Sequence, residues 1–163
     1  MTTLSSNWAL GIGLLIGASL AAHQNAAAQF RPAYPNIGSI DRFADGMDAL
    51  IPEDAVIEVV ASGLDWSEGP VWVADEGTRS GGYLLFSDIP HNVVLKWQEF
   101  EGLSTFMKPS GYTGVADFGR EPGSNGLALD AQGRLVLCEH GDRRISRLTK
   151  GGGKITLADR WDG

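Results

Sequence analysis

A stretch in the middle of this chain recurs near its end, and the spacing of the two copies decides what it can fold into. Residues 83–107 lie over residues 134–158 at a constant offset of 51, with no gap. Leu84 falls on Leu135, Phe86 on Leu137, Asp88 on Glu139, Val94 on Ile145, Lys96 on Arg147, Thr105 on Thr156 and Phe106 on Leu157. Allowing six extra residues in the first copy's turn, 76–81, extends the match upstream. There Ser67-Glu68-Gly69-Pro70-Val71-Trp72 faces Ser124-Asn125-Gly126-Leu127-Ala128-Leu129. Short β runs and glycine turns at a period of 51 to 57 residues are the mark of a propeller blade. Each copy predicts a four-stranded antiparallel meander. The strands are expected near 70–74, 83–88, 93–98 and 103–107, and again near 127–130, 134–139, 145–148 and 155–158. The fold class is therefore all-β, a partial β-propeller over residues 56–163, with blade 1 at about 56–107 and blade 2 at about 123–163. Two blades do not close a ring, and each outer face would be left bare. The expectation is an N-terminal part of a longer propeller.

Residues 1–28 read differently. An apolar run from Ala9 to Ala22 is followed by His23-Gln24-Asn25 and then Ala26-Ala27-Ala28. It is short for a spanning helix and ends in an A-x-A site, which predicts a cleaved signal peptide. A periplasmic or secreted protein follows, with no stable membrane association after cleavage. Export permits disulfides, yet the single cysteine, Cys138, has no partner in the chain. Its place in Leu135-Val136-Leu137-Cys138 reads as a small buried apolar residue. Thirteen Lys and Arg are scattered against twenty Asp and Glu, a formal charge of -7, with no basic stripe to neutralise a phosphate backbone. Nucleic acid is excluded as a partner.

Between signal and propeller, residues 29–55 form a lead-in with one short helical pattern. Phe43, Met47, Leu50 and Ile51 fall at i, i+4, i+7 and i+8, one face of a helix over 41–51 that Gly46 weakens. Val56 to Val60 then reads as an outer strand. The insertion 108–122 reads as a loop between blades.

Among residues that carry chemistry, Glu68 comes first. It stands just before the innermost expected strand, among Trp66, Pro70, Val71 and Trp72, where a carboxylate is costly unless a cation meets it. The other reading is an exposed Glu at a turn. Asn125 takes the equivalent place in the second copy, and a propeller projects equivalent places toward one axis. Oxygen donors converging there suit Ca²⁺, Mg²⁺ or Mn²⁺. The plainer reading of Asn125 is the left-handed turn residue of Ser124-Asn125-Gly126. His140 and Arg143, in Glu139-His140-Gly141-Asp142-Arg143, sit where they could reach a substrate or move a proton. His91, at a hairpin tip, reads as exposed. No G-x-S-x-G elbow or phosphate loop is present.

Taken together, the runs Trp66 to Trp72, Phe86-Ser87-Asp88-Ile89-Pro90, Asn92 to Trp97, Ser124 to Asp130 and Glu139-His140-Gly141 with Arg143-Arg144 closely resemble the senescence marker protein/gluconolactonase family, in particular its secreted bacterial branch. The resemblance covers residues 37–163. It implies a six-bladed β-propeller with one divalent cation in its channel, Ca²⁺ foremost and Mg²⁺, Mn²⁺ or Zn²⁺ as alternatives. It also implies hydrolysis of a small-molecule lactone or ester by Lewis-acid polarisation of the carbonyl. The family's metal-binding glutamate carries over to Glu68. The remaining ligands and the general base are expected beyond Gly163. Asn125, His140 and Arg143 are left as substrate-binding or channel-lining residues. The alternative from a different class is a non-catalytic propeller that binds a ligand or partner at its channel mouth.

Overall fold

The repeat in the sequence is a repeat of hydrogen-bond register. The computed structural model describes residues 31–162 and contains two four-stranded antiparallel sheets. The first is β1 (Ser67–Ala74), β2 (Gly82–Asp88), β3 (Val93–Gln98) and β4 (Gly102–Met107). The second is β5 (Ser124–Leu129), β6 (Leu135–Glu139), β7 (Arg144–Leu148) and β8 (Lys154–Ala158). Leu85 pairs with Lys96 and Ser87 with Val94 in the first sheet. Val136 pairs with Arg147 and Cys138 with Ile145 in the second, each partner 51 residues on. Even the irregularities recur. The register slips between Glu68 and Val71 and again between Ser124 and Leu127. It slips between Val94 and Leu95 and again between Ile145 and Ser146. A β-bulge bends its strand and increases local twist, so repeating it at one place in each sheet gives both the same curvature.

The core lies between the sheets. Leu85 and Val94 on the first meet Leu135 and Leu137 on the second, with Val71, Val73, Phe106, Leu127, Leu129 and Leu148 packed around them. Alternation along a strand sends successive side chains to opposite faces, so the second sheet's other face carries Val136, Cys138, Ile145, Arg147, Ile155 and Leu157. These are the repeat equivalents of Leu85, Ser87, Val94, Lys96, Ser104 and Phe106, residues on the face that the first sheet turns toward its neighbour. Here that face is bare, with Ile145, Ile155 and Leu157 each more than 40% exposed. Cys138 is exposed for the same reason, which corrects the expectation of a buried thiol.

The lead-in also departs from its pattern. Instead of a helix over 41–51, a 3-10 helix spans Asp45–Ala49, and Phe43 and Leu50 are almost fully exposed. Gly46 disfavours an α-helix, and Arg42 draws the chain into a tighter path by donating to Asp48 and to the carbonyls of Ile51 and Pro52. Val56 to Val60 forms no strand; a single bridge joins Asn36 to Glu58. The segment instead lies over the outer face of the first sheet, where Tyr34 meets Trp97 edge to face. The expected signal peptide lies outside the described residues. Among those described, no helix is long and apolar enough to cross a membrane.

Two polar clamps hold the loop 108–123 between the sheets. Asn92, in the left-handed region at φ 55°, accepts on Oδ1 from the backbone N–H of Ser110, Gly111 and Tyr112 and donates from Nδ2 to the Tyr112 carbonyl. On the other side, Asp142 accepts from the Thr113 backbone N–H at 3.0 Å and hydroxyl at 2.6 Å. Arg144 bridges Asp142 to the buried Glu139, which also accepts from Ser146 and Lys154. Burial pushes the Asp142 carboxyl up, but the Thr113 hydrogen bonds and the Arg144 and Lys154 charges outweigh it and hold the carboxyl below the ordinary carboxylate range.

Asn92→Ala removes five side-chain hydrogen bonds at once and leaves the Gly111 and Tyr112 donors unpaired, so a loss of about 2–4 kcal/mol is expected; thermal denaturation measures it. Because the folded pKa of Asp142 is depressed, its contribution is complete above about pH 4 and is lost as pH falls through the folded value. Melting temperatures taken from pH 7 down to pH 2 should fall less steeply at the acid end in Thr113→Val than in the parent protein. Equal acid slopes would show that another carboxylate sets the slope.

Candidate functional site

Glu68 and Asn125 stand at matching places on the first strand of each sheet, and the fold brings those strands together. Gly69 takes φ +64°, and a Cβ on it would lie 2.5 Å from the Asn125 carbonyl oxygen. Only glycine satisfies both conditions without strain. The Ser87 hydroxyl, on the strand paired with β1, reaches the Asn125 carbonyl at 3.0 Å and the Ser124 hydroxyl at 2.8 Å. Ser110 then accepts from the Ser124 backbone N–H. This chain of buried hydroxyls fixes the start of β5 against β1. Sequence reading missed it, although Ser87 among Leu84, Leu85 and Phe86 was the available signal.

The alternative readings of both residues fail. Asn125 is a β5 residue and not a left-handed turn, so its side chain projects from a sheet. Glu68 belongs to β1 and is half-buried, not an exposed turn residue. Its carboxylate makes no hydrogen bond or ion pair among the described residues. It lines a cleft of about 360 Å³ with Ile37, Val59, Leu64, Pro70 and Phe86. The Asn125 side-chain oxygen Oδ1 is buried and has no hydrogen-bond partner. An oxygen acceptor without a donor, in a cleft that Glu58 and Ser67 share with the apolar residues, is what a hard cation binds. Glu68 therefore fits one ligand of a divalent oxygen-ligated metal, and Asn125 adds an unpaired acceptor on the neighbouring strand. Among the described residues, no group of three or more His, Cys, Asp or Glu is placed to hold an ion.

The other expected site residues occupy the loops at the end of the sheets where β1 and β5 begin. His140 follows β6; its Nδ1 lies 2.8 Å from the Glu121 carbonyl and its ring packs edge to face on Phe118. A carbonyl only accepts, so Nδ1 carries the proton and Nε2 presents a lone pair when the ring is neutral. Arg143 lies at the hairpin tip at φ 55°, exposed and without an ion pair or hydrogen bond among the described residues. The structure does not bring it to Glu68 by any contact. His91 proves half-exposed and engaged, with Nδ1 at 2.8 Å from the buried Asp88 carboxylate. Asp88 also accepts from the Trp66 backbone N–H, and so ties the residue before β1 to the end of β2.

No family model matches the sequence. The gluconolactonase of Zymomonas mobilis is 42% identical over 114 residues, which are 69% of this chain and 31% of that protein. A gluconolactonase structure from Xanthomonas campestris superposes with a TM-score of 0.58 at 30% identity, covering 82% of this chain and 41% of that one. A second crystal structure, of a protein placed with the gluconolactonases, gives a TM-score of 0.53 at 32% identity over 82% of this chain and 37% of its own. The chain spans about a third of the length of the curated relative it matches, and its two sheets match part of a six-bladed propeller. Sequence and fold agree in one likeness: the chain is similar to members of the senescence marker protein/gluconolactonase family and covers part of their length.

Proposed function

We propose that the protein is part of an exported, metal-dependent hydrolase of sugar lactones, with Glu68 as a metal ligand and Asn125 lining the same channel. The carrying observation is the Glu68 carboxylate, which has no hydrogen bond or ion pair among the described residues, on a strand whose Gly69 closely approaches the Asn125 backbone carbonyl, in a chain that resembles gluconolactonases. Export rests on the apolar run and the alanine triplet of residues 9–28.

A bound divalent cation, Ca²⁺ foremost, supplies Lewis-acid polarisation of an ester carbonyl. Glu68 offers two carboxylate oxygens without a competing donor among the described residues and would hold that cation as a ligand. Asn125 is held by its carbonyl through Ser87, which leaves Oδ1 free to accept from a substrate hydroxyl or to serve as a second ligand. Leaving that oxygen buried and unpaired costs about 1–3 kcal/mol, which the arriving group recovers. His140 Nε2 adds an acceptor in the loops at the start of β1 and β5, and Arg143 places positive charge at the rim. The general base and the remaining ligands belong to parts of the propeller outside this chain.

Glu68→Gln should weaken Ca²⁺ binding by about 100-fold or more, since changes outside the ligand shell alone cost 10–100-fold. Glucono-δ-lactone hydrolysis should fall with it. Calorimetry with Ca²⁺ and pH-stat assays, both on the full-length protein that contains this chain, read the two effects. Unchanged Ca²⁺ affinity in the variant would overturn the ligand assignment, and Ca²⁺ binding without turnover would favour the non-catalytic scaffold. Gly69→Ala forces both a left-handed alanine and a contact with the Asn125 carbonyl. A melting study should show a loss of about 1–3 kcal/mol, with weaker Ca²⁺ binding in parallel.

A further inference from the structure

A second cleft opens at the end of the molecule where β1 and β5 begin, and nothing above uses it. It measures about 430 Å³ and is lined by Trp66, Pro90, Gly119, Arg120 and Glu121. Its size falls within the range of small-molecule sites, about 300–1,000 Å³. Trp66 stands two residues before Glu68, so the cleft adjoins the strand that carries the proposed metal ligand.

Three features make it more than a surface depression. First, Trp66 is 51% exposed although its backbone is fixed on both sides. Its N–H donates to Asp88 Oδ1 at 3.2 Å and its carbonyl accepts from the Ile89 N–H at 3.1 Å. A large ring on a fixed backbone presents a flat apolar platform at little conformational cost. Second, the opposite wall is propped from behind. Tyr112 packs on Phe118, Phe118 on His140, and His140 bonds to the Glu121 carbonyl. Third, Arg120 is exposed and has no ion pair or hydrogen bond among the described residues, while the Glu121 carboxylate reaches only His140, at 3.5 Å. A planar multiple donor and a charged acceptor thus border an aromatic face.

That combination matches one ligand chemistry closely. A sugar-derived ring has an apolar face of C–H bonds and a rim of hydroxyls that both donate and accept. Its ring-opened acid adds a carboxylate, which a guanidinium binds bidentately. A plain alkyl or aryl ester would leave Arg120 without a partner. Resting on the reading of the protein as a sugar lactonase, we propose that Trp66, Arg120 and Glu121 form an outer subsite that stacks the polyhydroxylated ring of the lactone and holds the aldonate product.

The test uses sodium gluconate, which cannot be hydrolysed, in calorimetry with the full-length parent protein and its Trp66→Ala, Trp66→Phe and Arg120→Ala variants. Both alanine variants should lose about tenfold or more in gluconate affinity, and Trp66→Phe should retain most of it. In steady-state assays the alanine variants should raise KM for glucono-δ-lactone about tenfold with kcat within about twofold, and leave γ-butyrolactone, which lacks the hydroxyls, unaffected. Far-UV circular dichroism checks that the variants fold. Gluconate binding absent from the parent protein, or equal in parent and variants, overturns the subsite whatever the catalytic result. Gluconate binding that depends on Trp66 and Arg120, without turnover of either lactone, sustains the subsite and removes the lactonase reading.

Discussion

The position of the site depends on one close approach, that of Gly69 to the Asn125 carbonyl. A side chain at residue 69 would collide with the second sheet's first strand, and its φ of +64° would be strained for anything but glycine. The approach lets the Ser87 hydroxyl bridge to both Ser124 and Asn125 out of water, where a satisfied polar contact is specific because the unsatisfied alternative is costly. Apolar packing between the sheets is less discriminating. Leu85, Val94, Leu135 and Leu137 would tolerate small slides of one sheet over the other, whereas the glycine contact and the serine bridge fix the register. Glu68 and Asn125 are neighbours because that register is fixed.

Propeller geometry divides each sheet's residues by distance from the axis, and the two copies differ accordingly. Strand-centre positions keep their character, with Leu84 and Leu135, Val94 and Ile145, Phe106 and Leu157 as equivalents. The axial position changes from Glu68 to Asn125, and the hairpin tip from His91-Asn92 to Asp142-Arg143. At the tip the left-handed backbone is retained at φ 55° in both copies, but its use is not. Asn92 spends its side chain on holding the loop between the sheets, and Arg143 leaves its charge in solvent. Repetition supplies the frame, and chemistry enters where equivalent positions diverge.

Much of this was legible in the sequence because a sheet repeat is strict. An offset that holds for 25 residues without a gap must preserve both alternation and pairing, so strands and registers followed from it. The departures come from what a pattern does not contain. The stripe Phe43, Met47, Leu50, Ile51 has helical spacing, but no layer among the described residues receives Phe43 or Leu50, and Arg42 ties the turn into a 3-10 form instead. Cys138 has apolar sequence neighbours, yet alternation puts it on the face opposite Leu137. Its repeat partner Ser87 is buried only because a second sheet lies on it. Asn125 before Gly126 looks like a turn by local chemistry; its copy at Glu68-Gly69, opening a strand, was the better guide.

The exposed face of the second sheet gives the repeat its last consequence. Val136, Ile145, Ile155 and Leu157 occupy positions whose equivalents on the first sheet include Leu85, Val94 and Phe106 of the inter-sheet core. A sheet that presents its buried pattern to solvent carries an apolar surface shaped for another sheet, and in a propeller each sheet is covered on both faces. The first sheet shows how such a cover sets chemistry as well as stability. Without the second sheet, Ser87 would have no Asn125 carbonyl to hold and Gly69 no strand to approach. Cys138 stands where Ser87 stands, and Gly126 where Gly69 stands. The exposed face therefore repeats the side-chain pattern on which the second sheet is seated, while Gly126 lacks the left-handed φ that Gly69 uses for its close approach.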